Sequence, residues 1–467
     1  MMNKQRHNTT NQIAAWTAAI RLQHIPVPVR RRAEEHLLDG FATMLAGAEA
    51  DASRQIDRHL RALGGNAEAT VIGTRIKLPA QHAALANGVR GHALDYDDAQ
   101  LSTLRTRPYG QLTHPTSPIL AAVAALAERI HARGAEFLTA YIVGVEVACR
   151  LGDAIDPRHY IDGFHPTGTI ATFGAAAGCA HLLQLDTPRI RAALGIAGSL
   201  AAGVRAQRGT MAKALNAGRA AENGVMASLL AAGGFTASTD IFDDSMGYFS
   251  AACYGEVNRK LIKLGNPFFF SDPGIAIKFY PCAAVMHPAL DGLIELVQRH
   301  ALQPRQVKHV RIRLGYDAAL PLVYDRPRTG LEGKFSLPFS AALAIIHRGA
   351  TLLDYTDDQV QNPQIREMMK CVKLVRTGKL KSIGNLGTPA EIELTTRDGR
   401  RYRHSALVAK GHPKKPLSQA ELNAKFYQCA RGRLSRGRVE AFIEASRHIQ
   451  TIRSIGAVLR LLCPRRH

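Results

Sequence analysis

From Gln12 to about Ser238 the chain is a succession of Ala, Leu, Ile and Val runs at helical spacing, punctuated by Gly and Pro. RRRAEEHLLDGFATMLAG, PAQHAALANGVRGHALDYDD, SPILAAVAALAERI, AEFLTAYIVGVEVACRLGDAI, TPRIRAALGIAGSLAAG and AAENGVMASLLAAGG each repeat apolar residues at a 3.6-residue period. So much Ala and Gly on these stretches leaves little side-chain volume between helices. Backbones must therefore approach closely, which predicts helices buried on several sides rather than an open surface bundle.

After FFFSDPG the texture changes. VKHVRIRL and AEIELTTRDGRRYRHSALVA alternate apolar and polar residues, the second broken by a DGR turn, and read as strands and a hairpin. HPALDGLIELVQRH and LPFSAALAIIHRG interrupt them as helices. The last segment is helical again, and Ser418 with Glu421 forms an S-x-x-E capping box at its start. The expected fold is mainly α: an all-helical part over 1–270, a smaller α+β domain over 271–405, and a C-terminal helical segment, 406–467, that returns to the first part.

With 467 residues, 46% of them hydrophobic and 21% charged, whole-chain disorder is excluded. No stretch reaches the roughly 18 uninterrupted apolar residues that a membrane span needs, so the cytoplasm is the expected location. The seven cysteines lie at least 29 residues apart, which offers no compact metal-ligand pair and suits a reducing compartment. The formal charge of +22 raises nucleic acid, a membrane surface or an anionic substrate as partners. Residues 371–467 carry 21 Lys/Arg against 6 Asp/Glu, so most of the excess sits in the last fifth of the chain. No aromatic RNA-binding motif or zinc knuckle accompanies it. A solvated, solubilising face is therefore expected there, and a basic nucleic-acid-binding protein is the non-enzyme alternative.

Three features carry chemistry. The first is the acidic cluster Asp95, Asp97 and Asp98 at the end of an Ala-rich stretch. If the helix continues through it, Asp95 and Asp98 share a face, and buried carboxylates there must be paired or used. A bland solvated turn and a metal site are the alternatives, but a second carboxylate cluster is hard to find, and no metal is expected. The second is the dipeptide His-Pro, present at His114, His165, His287 and His412, the first three leading into apolar helical stretches. Proline holds the preceding residue at the mouth of a helix, where the positive end of the dipole favours a neutral, base-competent imidazole. A single His-Pro is ordinarily only a turn, and its recurrence points to at least two in use. The third is a pair of lysines, Lys213 and Lys278, among apolar and glycine-rich neighbours, where a buried cation needs an anion. Tyr324, with Arg326 nearby, is the remaining candidate.

There is no dinucleotide fingerprint, P-loop, GxSxG elbow or HExxH, so no cofactor is expected. Neutral histidines, cationic anchors and acids support proton removal next to a carboxylate, then elimination, decarboxylation or reprotonation.

These same residues lie in blocks that resemble the MmgE/PrpD family: GHALDYDDA, LTHPTSPILAAVAALAE, GFHPTGTIATFGAAAG, GTMAKALNAGRAAENG, IKFYPCAAVMHPALDG, KFSLPFSAALA and GHPKKPLSQAELNAKF. The blocks run in family order over nearly the whole chain. Members include 2-methylcitrate dehydratase, cis-aconitate decarboxylase and iminodisuccinate epimerase. The resemblance implies a helical domain built from both ends of the chain, an α+β lid and a homodimer. It also implies a site of Asp95, His114, His165 and Tyr324 as catalytic groups with Lys213 and Lys278 as substrate-binding cations, between the two domains. The expected function is a cofactor-free lyase acting on a small di- or tricarboxylate with loss of water or CO2. An epimerase or racemase of an amino- or imino-dicarboxylate is the alternative. The chain departs from the decarboxylase pattern at Ala99, where a threonine is usual, and in the longer stretch QLSTLRTRPYGQLT.

Overall fold

The computed structural model describes residues 8–103, 113–155, 157–316, 319–381 and 387–464. Helices dominate its first half: α1 (Val27–Gly47), α2 (Ala80–Ala93), α3 (Thr116–Arg129), α4 (Gly134–Ile155), α5 (Pro166–Leu182) and α6 (Met211–Ala232). In α3, α4 and α5 nearly every residue is buried, as the all-round apolar composition predicts. Glycine sets the spacing. A Cβ added at Gly88 in α2 would lie 2.8 Å from the Gly218 Cα of α6, and one at Gly174 in α5 would lie 2.6 Å from the Gly144 carbonyl oxygen of α4.

A second apolar core runs from Tyr280 to Leu394 and shares no buried residue with the first. Two-residue strands β1 (Ala99–Gln100) and β2 (Ile275–Ala276) pair antiparallel just before it. Helices α7 (His287–Arg299) and α8 (Leu337–Ile346) supply Leu290, Leu293, Phe339 and Leu343 to that core. The sheet consists of β3 (Val307–Gly315), β4 (Val372–Thr377), β5 (Ala390–Thr396) and β6 (Arg401–Ala406), in the order β4-β3-β5-β6. The β3/β4 pair is parallel and the others are antiparallel, with a register shift between Val307 and His309. Alternating burial along β5 turns Ile392 and Leu394 onto the core. The chain is thus mainly α with a smaller α+β part.

Helices α9 (Gln419–Ala430) and α10 (Arg436–Arg447) are followed by a short helix at Ile455–Leu459, and Leu422, Phe426, Phe442 and Ile443 join the first core. The capping box of Ser418 and Glu421 is present. The basic end is more than a solvated face. Arg433 pairs with Glu49 and donates to the Gly73 carbonyl at 3.0 Å, and Arg438 donates to the Leu461 carbonyl at 3.0 Å. All seven cysteines are free thiols. Among the described residues no helix is long and apolar enough to cross a membrane.

Candidate active site

Helix α2 stops at Ala93, and Asp95 takes a left-handed backbone with φ of 52°. The three carboxylates therefore diverge, and the shared helical face expected for Asp95 and Asp98 does not form. Asp95 meets Lys213 at 2.6 Å and Lys278 at 3.2 Å. Asp97 accepts from His92 Nδ1 and Ser117 Oγ, each at 2.8 Å. Asp98 pairs with His36 at 2.8 Å and accepts from the Thr116 hydroxyl at 2.5 Å. All three are buried, and each is compensated by its own partners, which is what a buried carboxylate requires. Burial pushes the Asp95 carboxyl upward, but the ammonium groups of Lys213 and Lys278 outweigh it and hold the group well below the usual carboxylate range.

His114 lies two residues before α3, whose N-cap is Pro115, and His165 is the N-cap of α5, so two His-Pro pairs do open helices at the site. The His114 Nδ1 lies 2.7 Å from the Asp98 carbonyl, which can only accept, so Nδ1 carries the proton and Nε2 a lone pair. At His165 the Asn216 side-chain amide donates to Nδ1 at 3.1 Å, so there Nε2 carries the proton. The two imidazoles hold opposite tautomers. Burial disfavours both imidazolium forms, taking His114 down to about 3 and His165 well below its usual value. Desolvation, rather than the helix dipole expected from the sequence, is the main cause of neutrality. His287 is buried with its Nε2 on the Cys282 carbonyl at 3.3 Å, and His412 closes a tight turn with Lys415. Neither lines the site.

A pocket between the two cores is lined by Asp95, His114, His165, Lys213 and Lys278, with Phe335 and Pro321 facing them from the α+β part. Lys278 is 1% exposed, and its Nζ donates to the Asp95 carbonyl at 2.9 Å. Tyr324 is placed behind this lining: its hydroxyl donates to the Arg208 carbonyl at 3.3 Å. Gly209 makes that position available, since a Cβ there would sit 2.6 Å from the Tyr324 oxygen. Arg326 lines a different groove, with Arg366 and Lys373.

Sequence reasoning missed Arg205 and Arg208, which also line the pocket. Their signal was a pair of arginines between Gly203 and Gly209, in a loop whose place in space the sequence does not reveal. The Arg205 guanidinium stacks 3.4 Å above the Tyr160 ring. Four cationic side chains thus surround one carboxylate and two neutral imidazoles. Such a pocket favours a ligand with more than one negative charge. His92, Asp97 and His114 bring nitrogen and oxygen atoms within 4.8 Å of one another, a spacing from which a metal could be reached. His92 Nδ1 is hydrogen-bonded to Asp97 and His114 Nδ1 to the Asp98 carbonyl, so both of these nitrogens are already engaged. Ala99 is buried in β1, and most of the stretch that follows it, 104–112, lies outside the described residues.

The MmgE/PrpD N-terminal domain model matches residues 11–260, and the MmgE/PrpD C-terminal domain model matches residues 280–451. Among curated proteins the chain is similar to the cis-aconitate decarboxylase of Mus musculus, at 27% identity over 97% of this chain and 93% of that protein. The cis-aconitate decarboxylase of Homo sapiens is also 27% identical, over 97% of this chain and 94% of the relative. That of Aspergillus terreus is 25% identical over 98% and 97%.

Proposed function

The chain belongs to the MmgE/PrpD family, and on that premise we propose that it is a cofactor-free lyase acting on a small di- or tricarboxylate with loss of CO2 or water. The observation that carries this reading is the pairing of neutral, oppositely protonated His114 and His165 with the cations Lys213, Lys278, Arg205 and Arg208 around one pocket. The cations hold substrate carboxylates and oppose the charge that develops on them. In elimination, His114 Nε2 takes the proton next to a carboxylate, and the electron pair spreads onto that carboxylate. Its return expels hydroxide, which leaves as water after taking a proton from the ammonium group of Lys213 or Lys278. In decarboxylation CO2 departs first, the same cations hold the carbanion's charge, and His114 Nε2, having taken a proton from solvent, delivers it to carbon. His165, as a neutral Nε2–H donor, hydrogen-bonds the enolate-like oxygen in either case. Asp95 keeps Lys213 and Lys278 charged and in place.

The decarboxylase relatives make cis-aconitate the first candidate substrate. We read residues 1–270 with 406–467 as the helical domain, 271–405 as the lid, and the working unit as a homodimer. The test is a turnover screen of cis-aconitate, 2-methylcitrate, citrate and iminodisuccinate with and without EDTA. Loss of CO2 or water unaffected by chelation is expected. Activity that vanishes with EDTA and returns with metal overturns the metal-free part, and deuterium wash-in at the α carbon with an unchanged molecular formula assigns an epimerase instead.

A further inference from the structure

Behind His114 lies a carboxylate that the site does not otherwise use. Asp97 is fully buried, and its Oδ2 is fixed by two donors, His92 Nδ1–H and the Ser117 hydroxyl, both at 2.8 Å. Its Oδ1 has no hydrogen-bond partner and lies 3.6 Å from His114 Nδ1. The ammonium group of Lys278, whose charge also acts on Asp97, is engaged by Asp95. His92 is itself wholly enclosed, with its ring centroid 4.8 Å from that of His114 and 5.6 Å from that of His165. A buried negative charge with one idle oxygen is costly, and the group it faces is the imidazole that gains a positive charge when Nε2 accepts a proton.

We propose that Asp97, braced by His92 and Ser117, is the positioning carboxylate of His114. The Asp98 carbonyl sets the His114 tautomer, and Asp97 offsets the charge that appears on the ring during proton transfer. Asp97 touches no substrate, since it does not line the pocket. The role in turnover rests on the lyase reading, but the effect on the imidazole does not. The carboxylate raises the basicity and nucleophilicity of Nε2 whatever the substrate is. His92→Asn keeps an N–H for Asp97, whereas His92→Leu removes it.

Diethylpyrocarbonate, which acylates the free imidazole lone pair, reads this directly when modification at each histidine is followed by peptide mass spectrometry at neutral pH. In Asp97→Asn, isosteric and still able to accept from His92 and Ser117, the rate at His114 should fall at least about tenfold, while the rate at His165 stays within a factor of two. His92→Asn should retain most of the wild-type rate at His114 and His92→Leu should not. A folded Asp97→Asn protein modified at His114 as fast as wild type overturns the proposal. Should these variants not fold, side-chain 13C and 15N shifts of the wild-type protein decide it: an ionised Asp97 carboxylate beside an Nδ1–H tautomer at His92 is expected, and a protonated Asp97 carboxyl or an Nε2–H tautomer at His92 overturns the assignment. Both readouts stand even if the wild type turns over none of the screened carboxylates, so failure here and failure of the lyase reading are separate results.

Discussion

His114 and His165 are not interchangeable, because one presents a lone pair to the pocket and the other a proton. Replacing either by Ala should lower turnover at least about 100-fold, the low end for positioned proton-transfer groups. Glutamine separates their roles, since its amide can imitate an Nε2–H donor but not a base. His165→Gln should recover a measurable part of the lost rate, and His114→Gln should be as inactive as His114→Ala; steady-state kinetics on the best substrate checks both. Lys213→Ala and Lys278→Ala should raise KM as well as lower kcat, because these cations face a charged substrate in ground and transition state alike. Six candidate residues were legible in the sequence, and the five that line one pocket were each marked by local chemistry: Pro after His, apolar neighbours around Lys, carboxylates crowded together. Arg205, Arg208 and His92 carried no such mark. Asp97 was visible only as one acid of three, and its separate direction follows from the left-handed turn at Asp95, which helical periodicity could not reveal.

At the scale of elements, glycine decides how closely the helices approach. Gly88→Ala forces a methyl group against the Gly218 backbone and should cost about 1–3 kcal/mol, measured as a lower denaturation midpoint. Gly437 in α10 has open space around it, so Gly437→Ala should leave stability unchanged or slightly raised. Equal effects at the two positions would contradict close backbone contact as the reason for the Ala and Gly bias. Gly209→Ala is a different case: it pushes on the Tyr324 hydroxyl and strains a backbone with φ of 78°. Helices and strands were readable because periods of 3.6 and 2 are local properties. How the crossing near Lys278 is held was not readable. The Lys425 ammonium of α9 donates to the carbonyls of Tyr96 and Lys278 and pairs with Asp39, each more than 140 residues from it in sequence.

At the scale of the whole molecule, charge acts in two ways. Arg433 is built into the fold through Glu49 and Gly73, while Arg436 reaches only Glu440, one turn away. Arg433→Gln should therefore lower the melting temperature and Arg436→Gln should not, which a thermal scan distinguishes. Buried neutral histidines make the fold sensitive to acid. His114 and His287 are pulled to about 3 and His159 to about 4, in each case chiefly by burial. Below about pH 6.5 the unfolded chain takes up protons that these folded sites refuse, so their contribution is fully present above that pH and is lost as pH falls toward 3 to 4. Each adds a slope of up to about 1.4 kcal/mol per pH unit, and the urea midpoint should be clearly lower at pH 5 than at pH 7.5; equal midpoints would contradict neutral burial. The central claim is proton chemistry next to a bound carboxylate, with His114 as the base. The measurement that tests it most directly is proton NMR of cis-aconitate and 2-methylcitrate incubated with the protein in D2O and EDTA, beside His114→Gln. The account predicts product that carries solvent deuterium, or loss of the substrate α-proton signal, with the wild type and neither with the variant. No exchange and no turnover with the wild type, or equal exchange with both proteins, would contradict it.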